Sequence, residues 1–123
     1  MRSIAICDDN FIQRDIVMDM VEDISNENHW SATISTFESG DELLRSVEKN
    51  GRFDLYILDM IMEDMKGIEL AKKLREKGDK GAIVFLTVTN AFEKQINDID
   101  ALDYIIKPLT KEKLKSVFSK FIG

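Results

Sequence analysis

The chain has 123 residues, 44% of them hydrophobic, which is enough for one domain with a sizeable core and too apolar for a disordered segment. Its 23 acidic and 17 basic side chains leave a net charge of −6, which works against wrapping a phosphate backbone, so this segment is not expected to bind nucleic acid. No apolar run approaches the roughly 20 residues of a membrane span and the N-terminus lacks a secretory signal, so a cytoplasmic protein without a membrane partner is expected.

The first apolar run, Ile4 to Cys7, is short and strand-like, and Asp8-Asp9-Asn10 can break it and start a helix. Ile12, Ile16, Met20 and Ile24 then recur at i, i+4 with Val17 and Val21 beside them, which predicts an amphipathic helix over 10–24. Ala32 to Phe37 is rich in β-branched residues, and Ser39-Gly40-Asp41-Glu42 supplies a capping signal before Leu43, Leu44 and Val47. After the Asn50-Gly51 turn, Phe53 to Leu58 is a dense apolar segment interrupted only by Asp54 and ending in Asp59.

Gly67 opens a third helical pattern through Ile68, Leu70, Ala71 and Leu74, closed by Gly78 and Gly81, and Ala82 to Leu86 is another apolar strand ending in Thr87. A weaker helix over 91–99 carries Phe92, Ile96 and Ile99. Tyr104-Ile105-Ile106 is a short strand stopped by Lys107-Pro108, and Leu114, Val117, Phe118 and Phe121 line the last helix. Five strands alternating with five helices predict a doubly wound α/β fold: a parallel sheet with helices on both faces, in one domain over 1–123. Ligands of such sheets bind beyond the carboxyl ends of the strands.

The polar residues converge on that edge. Asp8 and Asp9 follow the first strand, Asp59 ends the third, Thr87 the fourth and Lys107 the fifth. Crowded carboxylates repel unless a cation shares them, and an oxygen-only set favours Mg²⁺, with Mn²⁺ plausible, over Zn²⁺. A lysine and a threonine hydroxyl add what a transferred phosphoryl group needs around its oxygens, with an aspartate as nucleophile. Cys7 reads as a small core residue, and His29, with no Cys or His nearby at ligand spacing, as an exposed loop residue without a role.

Asp8-Asp9, Leu58-Asp59-Met60, Phe85-Leu86-Thr87 and Tyr104-Ile105-Ile106-Lys107-Pro108 resemble, in order and spacing, the signature of bacterial response-regulator receiver domains. The resemblance covers the whole chain, and the stretches Ile4 to Asp9 and Ala101 to Tyr104 are most similar to receivers joined to LytTR-type DNA-binding domains. It implies a flavodoxin-like sheet in the order 2-1-3-4-5. It also implies phosphorylation of Asp59 by a sensor histidine kinase, with Mg²⁺ held by Asp8, Asp9, Asp59 and the Ile61 carbonyl. Thr87 and Lys107 would then contact the phosphoryl group, and Tyr104 would turn inward as the aromatic switch when Thr87 moves. The implied output is a changed surface on the fourth helix, fifth strand and fifth helix, which would dimerise or release an attached output domain in transcription regulation. The only chemistry expected is the chain's own phosphorylation and slow self-dephosphorylation, not enzymatic turnover.

The sequence departs from the family pattern in places. Glu63, followed by Asp64, stands where receivers usually carry proline, and Val88 replaces a small residue after Thr87, which predicts slower phosphorylation by small donors. The chain stops at Phe121-Ile122-Gly123, as a stand-alone receiver or an excised domain would. Three other readings compete. A flavin site lacks its phosphate loop, an Asp-x-Asp phosphatase lacks its spacing, and a degenerate receiver would act as a phosphorylation-independent binding module.

Overall fold

The computed structural model describes residues 2–122. Five strands, β1 (Arg2–Cys7), β2 (Ala32–Phe37), β3 (Leu55–Asp59), β4 (Ala82–Thr87) and β5 (Asp103–Ile106), alternate with five helices. The helices are α1 (Phe11–Glu27), α2 (Gly40–Asn50), α3 (Gly67–Glu76), α4 (Glu93–Asp98) and α5 (Lys111–Ile122). The strands form one parallel sheet, the doubly wound arrangement expected from the alternation, in the order β2-β1-β3-β4-β5 that the family resemblance implies. Met1 and Gly123, the two ends of the expected domain over 1–123, lie outside the described residues.

Both faces of the central strands are buried, which is why β3 and β4 read as continuous apolar runs. Ile4, Ile6, Leu55, Ile57, Val84, Leu86 and Ile105 point toward α1 and α5, where Val17, Val21, Ile24, Leu114, Val117 and Phe118 complete one core layer. The alternate residues Ala5, Cys7, Tyr56, Leu58, Ile83 and Phe85 meet Leu43, Val47, Ile68, Leu70, Ala71, Leu74 and Ile96 from α2, α3 and α4. Trp30 closes the first layer by edge-to-face contacts with Phe118 and Phe121, at 5.6 and 5.8 Å between ring centroids.

The apolar stripe assigned to α1 from sequence needs correction. Ile12 and Ile16 are 58% and 41% exposed, while Val17, Val21 and Ile24 are buried. Successive i, i+4 steps drift around a helix with 3.6 residues per turn, so a row from Ile12 to Ile24 cannot stay on one face, whereas Val17, Val21 and Ile24 can. The helix also runs on to Glu27, and His29 follows it, exposed, with φ of 53°. Two turns match their residues: Gly51 caps α2 at φ 100°, and Gly78 follows α3 at φ 80°. Ser39 Oγ accepts the Glu42 N–H at 3.1 Å and starts α2 where the capping signal placed it.

Candidate functional site

Strand order reverses at β1, which lies between β2 and β3, and the crevice beyond β1 and β3 receives the residues that follow both. Asp8, one residue past β1, is 2% exposed, and Asp59, the last residue of β3, is 6% exposed. Oxygens of Asp8, Asp9 and Asp59 lie within 4.8 Å of one another, so the sheet edge gathers the carboxylates picked out in the sequence. Asp8 Oδ1 accepts the Asn10 N–H at 2.9 Å, but its Oδ2 is buried with no hydrogen-bond partner among the described residues.

That orphaned oxygen tests whether the site suits a cation. A buried carboxylate oxygen left unpaired is costly, and burial followed by the nearby Asp59 charge raises the Asp8 carboxyl above its ordinary range, against the Asn10 hydrogen bond. Burial also raises the Asp59 carboxyl, and Lys107 opposes it. Two carboxylates penalised for their own charge, beside a third and with only oxygen donors, fit a small hard dication.

Lys107 follows β5 and extends its Nζ to Asp59 Oδ1 at 2.8 Å. Its backbone N–H donates to the Thr87 carbonyl at 2.7 Å, and the Lys107–Pro108 bond is cis. Thr87 is 2% exposed at the end of β4, and its hydroxyl donates to the Thr89 carbonyl at 3.1 Å. Val88, next to it, is 72% exposed. Tyr104 lies opposite Phe85 across β5 and β4 and is half-buried against the layer under α2, α3 and α4. Ile61 pairs through its backbone with Lys66 at the base of the loop after β3, with its side chain exposed. Cys7 sits beneath the site, its thiol against Met62 Sδ at 3.6 Å and pushed up to about 12 mainly by burial, as an inert core residue would be.

Several contributors were not legible in the sequence. Arg14 Nη1 donates to the Asp8 carbonyl at 2.7 Å and fixes the turn that presents both aspartates. Glu63 N–H donates to Asp9 Oδ2 at 2.8 Å, and the Asp64 carboxylate accepts from Gly40 and Asp41 at the start of α2. Nothing in the linear spacing separates Asp64 from a solvated loop acid.

Chemically, the crevice presents three carboxylates able to share a dication, one of them paired to a lysine, beside a threonine hydroxyl on an adjoining strand. Sensory transduction protein LytT of Bacillus cereus is 28% identical over 121 residues, covering 98% of this chain and 47% of that protein. Sensory transduction protein LytR of Staphylococcus haemolyticus is 29% identical over 115 residues, covering 94% of this chain and 43% of that protein. The chain thus spans just under half the length of these relatives.

Among solved structures, Vibrio cholerae chemotaxis protein CheY4 superposes with a TM-score of 0.83 at 26% identity, covering 98% of both chains. Response regulator protein TrrA from Thermotoga maritima, in complex with Mg²⁺-BeF, gives 0.82 at 26% identity, covering 98% of this chain and 99% of that one. The response regulator receiver domain family matches residues 4–119, and the chain belongs to that family, the receiver domains of two-component systems.

Proposed function

We propose that the chain is a phosphoacceptor switch, taking a phosphoryl group from a sensor histidine kinase onto Asp59 in the cytoplasm. The observation that carries the reading is the Asp8, Asp9 and Asp59 cluster with Lys107 already paired to Asp59. An Asp59 oxygen forms the new bond to phosphorus as the donor's P–N bond breaks and its electron pair leaves with the imidazole. Asp8, Asp9, Asp59 and the Ile61 carbonyl would hold Mg²⁺, which when bound neutralises charge on the phosphoryl oxygens. Lys107 supplies a fixed positive charge to one phosphoryl oxygen, and Thr87 gives up its bond to Thr89 to donate to another.

The switch then works by population shift. The phosphoryl group binds the arrangement with Thr87 turned toward Asp59 better than the one seen here, and Tyr104 follows into the space that Thr87 vacates. The face of α4, β5 and α5 is the output surface, for a homodimer contact or for an attached output domain acting in transcription. Transfer is stoichiometric, with slow self-hydrolysis in place of turnover.

Phosphoramidate, whose P–N bond mimics phosphohistidine, tests the reading when transfer is followed by borohydride reduction and peptide mapping. The expected result is one reduced aspartate, Asp59, at no more than one per chain. Reduction at another residue, or continuous turnover of generic phosphate esters, would contradict it.

A further inference from the structure

We infer that Asp64 is a positioning residue for the cation site: it ties the loop after β3 to the start of α2 and thereby fixes the Glu63 amide against Asp9. The inference rests on the reading of Asp8, Asp9 and Asp59 as cation ligands. The loop over 60–66 leaves β3 and returns at Gly67 as a narrow reversal. Its base is closed by the Gly67 N–H donating to the Met60 carbonyl at 2.7 Å and by the Ile61–Lys66 bridge.

The tip is held from outside. Asp64 Oδ1 accepts from Gly40 N–H at 3.2 Å and Oδ2 from Asp41 N–H at 3.0 Å, two amides that a helix start leaves without intrahelical partners. Met65 seats the tip on the same helix, its Sδ only 2.5 Å from where a Cβ on Gly40 would stand. One residue before Asp64, the Glu63 N–H donates to Asp9 Oδ2 at 2.8 Å. The tip therefore bridges α2 and an exposed metal-ligand candidate, and releasing Asp64 frees the amide that orders Asp9. Groups that orient a ligand side chain lower the entropy it loses on binding.

A rival explanation gives Asp64 only a through-space attraction for the cation, and the two predict different variants. Asp64→Asn loses the charge but keeps one of the two acceptor oxygens that hold the α2 amides, while Asp64→Ala loses the charge and both acceptors. Ser39→Ala uncaps the same helix at Glu42 without touching the loop.

The test is calorimetric titration of the metal-free full chain and these variants with Mg²⁺, with amide hydrogen exchange at Gly40, Asp41 and Glu63 measured before metal is added. Asp64→Ala should weaken Mg²⁺ binding on the order of 10-fold and speed exchange at all three amides. Asp64→Asn should lose clearly less affinity than Asp64→Ala, and Ser39→Ala should match the native chain. Equal losses in Asp64→Asn and Asp64→Ala would overturn positioning in favour of charge. Native affinity in Asp64→Ala, or unchanged exchange at Glu63, would overturn it as well. Failure of the native chain itself to bind Mg²⁺ would instead refute the cation reading beneath it.

Discussion

At Asp8, burial and the neighbouring Asp59 both disfavour the charged carboxylate, and burial acts the same way on Asp59. Because both folded carboxyls titrate above their unfolded values, the stability contributed by their protonated forms is complete below about pH 4 and is lost as pH rises through the folded values. Bound Mg²⁺ would offset that loss at neutral pH, so its melting shift should be large at pH 7.5 and fade toward the carboxylate range. Asp8→Asn should raise metal-free stability at pH 7.5 by about 1 kcal/mol and remove most of the Mg²⁺ shift, as read by melting under circular dichroism. An undiminished Mg²⁺ shift in that variant would refute the placement of the cation. Asp8, Asp9, Asp59, Thr87 and Lys107 were legible as candidates because each ends or follows an apolar strand, which places them on one edge once the fold is parallel. Arg14 and Asp64 were not, because they act on backbone groups distant in sequence or across a turn, and such partners leave no pattern in spacing.

Among the elements, α1 shows where periodicity misleads. Its sequence offers two apolar rows, and only packing selects the one containing Val17, Val21 and Ile24. The helix was readable, but the buried face required knowing where β1 and α5 lie. Two chemically identical substitutions test the assignment: Ile24→Ala, at a position 1% exposed, should cost about 2–5 kcal/mol in urea unfolding. Ile12→Ala, at 58% exposure, should cost under about 0.5 kcal/mol. Comparable losses would return Ile12 to the core. The shorter elements were legible in kind and less so in extent: α4 covers only Glu93–Asp98 of an expected 91–99, and β3 begins at Leu55, not Phe53. Phe53 is nonetheless half-buried, packing edge-to-face on Phe37 and Tyr56, so its apolar character reports on packing outside the strand.

Across the whole molecule, the sheet separates two polar clusters. Beyond the carboxyl ends of its strands lies the crevice that gathers Asp8, Asp9 and Asp59. Near the start of β4, the buried Tyr56 hydroxyl donates to Asp79, whose other oxygen accepts the Gly81 N–H at 2.9 Å. Arg75 adds bonds to the Asp79, Gly81, Ile99 and Asp100 carbonyls, joining α3 to the turns before β4 and β5. Burial, reinforced by Asp79, raises the Tyr56 phenol, so its neutral form stabilises the fold fully below about pH 10 and progressively less as pH rises toward the folded value. Tyr56→Phe should cost about 1–3 kcal/mol at pH 7 by leaving one Asp79 oxygen without its donor, and should flatten the alkaline decline above pH 10 in denaturant titrations. An equally steep decline would show that other groups govern it. A parallel sheet covered on both faces follows from alternation and dense apolar runs, and its strand order from the family resemblance, whereas the Tyr56–Asp79 cluster joins residues from separate segments and leaves no pattern in the sequence. The central claim, that this architecture makes Asp59 a phosphoacceptor, is tested most directly by intact mass after incubation with Mg²⁺ and acetyl phosphate, beside Asp59→Asn. One phosphoryl adduct on the native chain, absent from the variant and absent when the metal is chelated first, is the predicted result; no adduct on the native chain, or an equal adduct on Asp59→Asn, would contradict it.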